Sequence, residues 1–218
     1  MKQIFIAPSI LSADFSKIGQ EVSSISDLGA DFIHLDVMDG NFVKNITYGP
    51  KFIKDLRDKS DKIFDTHLMI LNPIRYVDDF VKAGSDIITV HYEACKEDLK
   101  DTLKAIKSNG VKCGVVINPD TEVSAISNVI GECDMLLLMS VFPGFGGQKF
   151  IPEVLNKLKQ ADELIKSVGK DILLEIDGGI NLDNVKLVKD AGANVIVAGN
   201  SIFKENDRGA IIEKFKNA

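Results

Sequence analysis

Three stretches of this chain share one pattern, in which a glycine follows a helix-like segment and an apolar run begins within three residues. The glycines are Gly29, Gly84 and Gly192. Glycine at that place is typical of a helix C-terminus, so each stretch predicts a helix followed by a buried strand. The spacing from Gly29 to Gly84 is close to two units of about 27 residues, and the spacing from Gly84 to Gly192 is close to four. The 218 residues divide into eight such units. The sequence therefore predicts eight successive strand-and-helix units.

Eight apolar runs supply the strands. They are Ile4–Ala7, Phe32–Leu35, Ile63–Leu68, Ile87–Val90, Val111–Ile117, Met135–Met139, Ile172–Ile176 and Val195–Ala198. Stretches of helical periodicity such as Val154–Ile165 lie between them. Strands this apolar are covered on both faces, as in a parallel sheet, and eight right-handed crossovers can close into a (β/α)8 TIM barrel. An open doubly wound sheet is the alternative. No linker divides the chain, so we expect residues 1–218 to form a single barrel domain.

Charge and cysteine content exclude several classes of function. The formal net charge is −6 without a block of like charges, so we expect no nucleic-acid partner and no anionic membrane surface. No apolar run approaches the roughly 18 residues that span a bilayer. Cys95, Cys113 and Cys133 are far apart and form no C-x-x-C pair, which argues against disulfides or a cysteine zinc site. These features favour a cytoplasmic protein.

Polar residues concentrate at the predicted strand ends, where (β/α)8 barrels carry their functional groups. They are Ser9, His34, Asp36, His67, His91, Asn118, Ser140 and Asp177. His34 and Asp36 are two residues apart on one strand, so both side chains point to the same side and need partners or a ligand. With His67 and Asp177 they could hold one divalent ion, and this donor set suits zinc, iron(II), manganese or cobalt better than calcium.

The spacing leaves another interpretation of these four residues open, in which the histidines are hydrogen-bonded core residues and the aspartates belong to loops or caps. His91 is expected to be structural or to lie behind the ligands. Asp39 precedes Gly40 and is expected to make a turn or cap bond. Met38, Met69 and Met139 are either core filler or, if the strand ends form a site, an apolar cap over it.

Three glycine-rich segments also follow predicted strands, namely Pro143–Gln148, Asp177–Gly179 and Ala198–Ser201. Backbone N–H groups in such turns can bind a phosphate without lysine, and barrels commonly bind phosphate after their seventh and eighth strands. Tight turns with no ligand are the alternative. Because such loops bind phosphate without basic side chains, their presence in an acidic chain predicts a small phosphorylated substrate.

Five motifs in order resemble the ribulose-phosphate 3-epimerase family over essentially the whole chain. They are Ala7-Pro8-Ser9-Ile10-Leu11-Ser12-Ala13-Asp14-Phe15, His34-Leu35-Asp36-Val37-Met38-Asp39-Gly40, Asp65-Thr66-His67-Leu68-Met69, the segment from Met139 to Gln148, and Glu175-Ile176-Asp177-Gly178-Gly179-Ile180. The resemblance implies a cytosolic, metal-dependent barrel of the ribulose-phosphate-binding type that interconverts D-ribulose 5-phosphate and D-xylulose 5-phosphate in the pentose phosphate pathway. It also implies a homo-oligomer, either a dimer or a hexamer.

The resemblance assigns roles to individual positions. It implies one divalent metal on His34, Asp36, His67 and Asp177, with Asp36 and Asp177 as the acid/base pair. The implied substrate-binding residues are Ser9, His67, Gly144, Phe145, Gly146, Gly147, Asp177, Gly178, Gly179, Gly199 and Asn200, and the implied cap is Met38, Met69 and Met139. Asn200, Phe142, Asn41 and Lys44 depart from the residues common in the family, which bears on loop detail and substrate preference.

The residue types suit this chemistry. Epimerisation at C3 of a 2-keto sugar removes a proton from one face and returns one to the other, which two opposed carboxylates can do. A metal-bound 2,3-enediolate would be stabilised electrostatically. The alternatives are a 3-epimerase of hexulose 6-phosphates, a metal-independent phosphate-binding barrel, which usually carries a site lysine, and a non-catalytic sugar-phosphate sensor.

Overall fold

The computed structural model describes residues 3–218, and its centre is a barrel of eight parallel strands. The strands are β1 (Phe5–Pro8), β2 (Phe32–Met38), β3 (Ile63–Met69), β4 (Ile87–His91), β5 (Lys112–Ile117), β6 (Met135–Met139), β7 (Leu173–Asp177) and β8 (Val195–Ala198). Neighbours in sequence pair in parallel, and β1 pairs with β8. A parallel bridge between Ser9 and His34 joins β1 to β2 and closes the ring. The predicted barrel is confirmed, and the open sheet is not formed.

The helices lie outside the barrel. They are α1 (Ile18–Asp27), α2 (Pro50–Leu56), α3 (Val77–Lys82), α4 (Tyr92–Cys95), α5 (Leu99–Ser108), α6 (Val154–Val168), α7 (Val185–Asp190), α8 (Asn200–Phe203) and α9 (Arg208–Asn217). On α6 the residues Val154, Leu158, Ala161 and Ile165 are buried, which is the spacing of one helix face. None of the helices in the described part of the chain is long and apolar enough to cross a bilayer.

One connection differs from the predicted strand-and-helix alternation. Between β5 and β6 the described chain forms two short 3₁₀ segments, Val123–Ile126 and Ile130–Glu132, and no α-helix. Pro119 and Gly131 limit the length available for a helix in this connection. The barrel tolerates this because parallel pairing of β5 with β6 needs only a crossover of sufficient length.

The repeated glycines mark one structural device at the amino ends of the strands. Gly29, Gly84 and Gly192 have φ values of +97°, +97° and +115°, which end α1, α3 and α7 in the left-handed region. Two residues after each glycine, a side-chain oxygen accepts a hydrogen bond from the first part of an adjoining strand. Asp31 accepts from the N–H of Ile6 at 2.8 Å, Asp86 from Phe64 at 2.8 Å and Asn194 from Leu174 at 2.7 Å. The repeat therefore both stops a helix and sets strand register.

The barrel interior changes from apolar to polar along the strands. Near the amino ends, one cluster packs the interior with Ala7, Phe32, Ile87, Met135, Val195 and Val197. A much larger apolar cluster fills the space between strands and helices. Nearer the carboxyl ends, the interior positions carry histidines and acids, because side chains two residues apart on a strand share a face. The fold therefore concentrates buried charge at one end of the barrel.

Candidate active site

A cleft of about 240 Å³ opens at the carboxyl ends of the strands. The predicted residues that line it are Ser9, Asp36, Met38, Met69, Met139, Gly144, Phe145, Gly146, Gly147, Asp177, Gly178, Gly179, Gly199 and Asn200. His34 and His67 are fully buried and lie behind this lining. Leu11, Ser12, Gln148, Asn181 and Ser201 also line the cleft and were not predicted as site residues. Every predicted site residue therefore lies in the cleft or directly behind it.

Asp36 is the centre of the polar cluster. Its Oδ1 lies 3.5 Å from Nε2 of His34 and 3.3 Å from Nδ1 of His67, and its Oδ2 accepts a hydrogen bond of 2.5 Å from the Ser9 hydroxyl. The register of β2 and β3 places Asp36 beside His67. Asp177 joins from β7, and one potential ligand atom from each of His34, Asp36, His67 and Asp177 lies within 4.8 Å of the others. Four residues distant in sequence thus converge on one point.

The two aspartates have opposite electrostatic surroundings. Burial raises the pKa of Asp36, but His34 and His67 outweigh burial and hold the pKa far below its usual range. Burial, together with the charge of Asp36, raises the pKa of Asp177 to about 7. Burial lowers the pKa of His34, yet Asp36 and Asp65 outweigh it and raise the pKa well above the usual value. The pair therefore favours one anionic and one neutral carboxyl near neutral pH, which is the combination an acid/base pair needs.

The donor set fits a divalent cation. Nε2 of His34 and Nδ1 of His67 are buried and have no hydrogen-bond partner in the described structure, although both face Asp36. A buried polar atom without a partner costs about 1–3 kcal/mol, and a cation bound by both nitrogens would remove that cost. Two imidazoles and two carboxylates are borderline ligands that suit zinc, iron(II), manganese or cobalt.

A second acidic layer lies beneath His34 and was missed in the sequence. Asp65 Oδ2 is 2.6 Å from Nδ1 of His34, and Glu175 Oε1 is 3.6 Å from the same nitrogen. Burial and the charge of Asp65 raise the pKa of Glu175 well above its usual value. Asp65 and Glu175 precede His67 and Asp177 by two residues, so the alternation that links His34 with Asp36 could have identified both. Asp65 orients the His34 ring so that Nε2 faces the cleft.

His91 does not line the cleft, in agreement with the expectation that it lies behind the ligands. Its Nε2 is 2.8 Å from Nε2 of His67, and its Nδ1 is 3.1 Å from Oε2 of Glu93. Asn118, another predicted strand-end residue, is outside the cleft lining, and its backbone N–H donates to Glu93. Asp39 makes the expected turn bonds, because its Oδ1 accepts from the N–H groups of Asn41 and Phe42.

The three methionines predicted as a cap are buried and line the cleft. Met38, Met69 and Met139 are each at most 4% exposed and line the cleft beside the polar cluster. Met38 and Met69 pack with Val43, and Met139 packs with Val116, Leu137 and Val141. Their side chains add apolar surface to the cleft that Asp36 and Asp177 also line.

The glycine-rich loops also line the cleft. No lysine or arginine is among the cleft-lining residues of the described chain, so an anion there must be bound through backbone N–H groups or polar side chains. Gln148 stabilises the loop after β6, since its Nε2 donates to the carbonyls of Phe142 and Phe145. Gly147 has φ +74°, and a Cβ there would lie 2.5 Å from Nδ2 of Asn200. A side chain at position 147 would therefore adopt an unfavourable backbone conformation and displace the Asn200 side chain.

Three of the departures from the family pattern lie outside the cleft lining. Asn41 and Lys44 are exposed in the loop after β2, and Phe142 is 52% exposed in the loop after β6. Asn200 alone lines the cleft, at the start of α8. The departures therefore leave the histidine and aspartate cluster unchanged.

Comparison with known proteins agrees with this geometry. The sequence pattern of the Ribulose-phosphate 3 epimerase family matches residues 5–203. The chain belongs to this family. It is 49% identical over 216 residues to the ribulose-phosphate 3-epimerase of Bacillus subtilis (strain 168), with 99% of each chain covered, and 47% identical over 218 residues to that of a Synechocystis strain, covering 100% and 95%. As a member of the ribulose-phosphate 3-epimerase family, the chain is an epimerase acting on carbohydrates.

Solved structures of more distant proteins show the same fold. A 3-hexulose-6-phosphate synthase superimposes with a TM-score of 0.69 at 20% identity, covering 99% of both chains. A 3-keto-L-gulonate-6-phosphate decarboxylase from Vibrio cholerae superimposes with a TM-score of 0.72 at 14% identity, covering 100% and 98%. At these identities the similarity concerns the barrel alone.

Proposed function

We propose that this chain interconverts D-ribulose 5-phosphate and D-xylulose 5-phosphate by epimerisation at C3, in the non-oxidative branch of the pentose phosphate pathway. Membership of the ribulose-phosphate 3-epimerase family supports the reaction class. The observation that carries the mechanism is the convergence of Asp36 and Asp177 from opposite sides of the barrel on the two partnerless imidazole nitrogens.

Asp36 and Asp177 act as the acid/base pair in this proposal. One carboxylate removes the C3 proton from one face of the sugar, and the other, protonated, donates a proton to the opposite face. Their split pKa values support this division of roles, and exchanging the roles gives the reverse reaction. The Ser9 hydroxyl holds Oδ2 of Asp36, so the carboxylate is oriented before the substrate arrives.

A divalent cation held by His34, Asp36, His67 and Asp177 would supply electrostatic stabilisation of negative charge on the substrate oxygens at C2 and C3, commonly several kcal/mol of barrier. The methionine cap opposes solvation of the carboxylates and so preserves their basicity. In this proposal Met38, Met69 and Met139 affect the basicity of Asp36 and Asp177 but take no part in proton transfer.

The phosphate group is proposed to bind at the glycine-rich loops. Gly146, Gly147, Gly178, Gly179, Gly199 and Asn200 offer backbone N–H groups at the cleft, and Gly144 and Phe145 belong to the same loop as Gly146 and Gly147. The first amides of α8 have no helical acceptor and are available to an anion. An uncharged nest of this kind suits a phosphate in a protein of net charge −6.

Deuterium uptake tests the proposal. The protein is incubated with D-ribulose 5-phosphate in deuterated water, with and without a chelator, and the label at C3 is followed by NMR. We expect incorporation with formation of xylulose 5-phosphate, its loss on chelation, and none in Asp36→Asn or Asp177→Asn. Near-normal exchange in either variant would refute the two-carboxylate mechanism. Binding without exchange would instead support a sugar-phosphate sensor, and a panel including hexulose 6-phosphates tests the other epimerase activity.

Three further properties belong to this proposal. Pairing of β1 with β8 brings the first and last strands into one sheet, which supports a single domain over residues 1–218. All three cysteines are free and buried, which suits the reducing cytoplasm. Exposed apolar side chains such as Ile46 (74% exposed) and Leu71 (44%) support a homo-oligomer. Analytical ultracentrifugation distinguishes a monomer, a dimer and a hexamer.

A further inference from the structure

A continuous line of hydrogen-bonding groups runs from His67 away from the cleft. Nε2 of His67 lies 2.8 Å from Nε2 of His91, and Nδ1 of His91 lies 3.1 Å from Oε2 of Glu93. The ring centroids of the two histidines are 5.0 Å apart, and the ring planes differ by 25°. This centroid distance is about the sum of the distance between the two nitrogens and the two ring radii. The rings therefore meet edge to edge, with the geometry of an in-plane N–H···N hydrogen bond.

Glu93 is held at the far end of this line. Its Oε1 accepts hydrogen bonds from the backbone N–H of Asn118 at 2.8 Å and from the hydroxyl of Thr121 at 2.5 Å. Burial raises the pKa of Glu93, but the bonds from His91, Asn118 and Thr121 outweigh it and lower the pKa below its usual value. Glu93 is thus an anionic acceptor whose Oε2 is directed at His91.

Hydrogen-bond accounting along the line determines where the protons lie. A carboxylate only accepts, so Nδ1 of His91 carries the proton that faces Glu93. In neutral His91 the remaining Nε2 is then an acceptor, and the N–H between the two rings must come from Nε2 of His67. This leaves Nδ1 of His67 unprotonated, and Nδ1 is the buried, partnerless nitrogen that lies 3.3 Å from Oδ1 of Asp36.

We propose that Glu93 and His91 are positioning residues that hold His67 in the tautomer whose Nδ1 lone pair faces the active-site cluster. The inference rests on the metal site of the proposed function for its purpose, but its statement about the proton rests on hydrogen-bond geometry. The 2.8 Å contact between the rings of His67 and His91 needs an N–H, whereas Nδ1 of His67 makes no hydrogen bond to Asp36. Outer partners of a metal-binding histidine commonly change metal affinity by about 10- to 100-fold when altered.

Glu93→Gln tests the proposal because it should reverse the direction of the hydrogen bonds that link residue 93, His91 and His67. The backbone N–H of Asn118 can only donate, so the Gln oxygen stays there and the amide NH₂ faces Nδ1 of His91. His91 must then accept at Nδ1 and donate from Nε2. His67 in turn accepts at Nε2 and carries its proton on Nδ1, where a metal would bind. Glu97→Gln is the matched control, since Glu97 is exposed in the same connection.

The experiment uses the metal-free protein labelled with ¹⁵N-histidine, in which protonated and unprotonated ring nitrogens have well-separated NMR shifts. We expect His67 to be protonated at Nε2 in the wild type and in Glu97→Gln, and at Nδ1 in Glu93→Gln. Cobalt(II) titration followed by its visible absorption should show at least about a tenfold lower affinity in Glu93→Gln alone.

A wild-type protein with the His67 proton on Nδ1 would overturn the proposal even if Glu93→Gln did not fold. A Glu93→Gln protein with the wild-type tautomer would overturn it as well, including when its cobalt affinity falls, because the loss would then come from the missing charge. The tautomer is measured without substrate or metal. Failure of C3 exchange would therefore refute the proposed function and leave this result standing.

Discussion

Replacing Asp177 with asparagine should stabilise the metal-free protein while removing its activity. The pKa of Asp177 rises from 3.8 to about 7 on folding, because the carboxyl is buried and faces the charge of Asp36. A raised pKa means that the folded state holds its proton more tightly than the unfolded state. The contribution to stability is therefore fully present below about pH 4 and is lost as the pH rises to about 7.

The size of the effect follows from the pKa values. A rise of about three pH units corresponds to about 4 kcal/mol of unfolding free energy at pH 8, since each unit is worth about 1.4 kcal/mol. Asp177 keeps partial contact with solvent at the cleft floor, which screens its charge. We therefore expect Asp177→Asn to gain about 2–4 kcal/mol at pH 8 and less than half of that at pH 5, because asparagine does not ionise.

Urea unfolding followed by circular dichroism, with a chelator present, measures this difference at both pH values. Asp61→Asn is the control, because Asp61 is exposed and forms no ion pair with another described residue. Added cobalt(II) should reverse the order of stability, since the ionised Asp177 becomes a ligand that only the wild type has. A gain that does not depend on pH, or an Asp177→Asn protein less stable than wild type at pH 8, would refute the electrostatic reasoning.

Three more predictions concern metal, cap and phosphate loop. Cobalt(II) binding near pH 6.5 should release protons from His34 and Asp177, seen by calorimetry in buffers of different ionisation enthalpy; no release would contradict their raised pKa values. Met139→Ala should lower kcat by roughly three- to tenfold. Met135→Ala is the control, because Met135 is also buried on β6 but lies away from the cleft, and its loss should leave a similar cavity and keep kcat unchanged. Equal effects of the two substitutions would make Met139 a packing residue only. Gly147→Ala should raise KM by up to about tenfold with little change in kcat, because its φ of +74° strains alanine by roughly 1–2 kcal/mol; an unchanged KM would separate this loop from phosphate binding.

The barrel was predictable because its determinants are local. Each repeated glycine stops a helix by its own backbone conformation, and each apolar run identifies a strand without knowledge of its neighbours. The predicted strand bounds differ most at β2, which continues to Met38 because Asp36 and Met38 face the interior despite the polarity of Asp36. The predicted helix between β5 and β6 is wrong, since helical alternation was extended to a segment whose own residues do not support it.

The cleft residues were also predictable, since barrel strands place their last side chains at one mouth. Asp65, Glu175 and Glu93 each stand two residues from a predicted strand-end residue, and this spacing was a usable signal that was overlooked. Their importance, however, depends on contacts between elements. Asp65 matters through the β2–β3 register that sets it opposite His34, and Glu93 matters through a turn that brings it to His91. Sequence spacing shows which side chains share a strand face, whereas hydrogen bonds across strands decide which nitrogen of a histidine is free.

The two histidines of the cluster show how the layers work together. His34 turns Nε2 to the cleft because Asp65 faces Nδ1, and His67 turns Nδ1 to the cleft because His91 faces Nε2. His34 therefore presents Nε2 and His67 presents Nδ1 to the same point. If both rings presented the same nitrogen, they would not form this site. Asp65 behind His34, and His91 with Glu93 behind His67, therefore do for the imidazoles what Ser9 does for Asp36, which is to orient the group before any ligand binds. Substitution of these outer groups should then weaken metal binding while leaving the cleft lining intact.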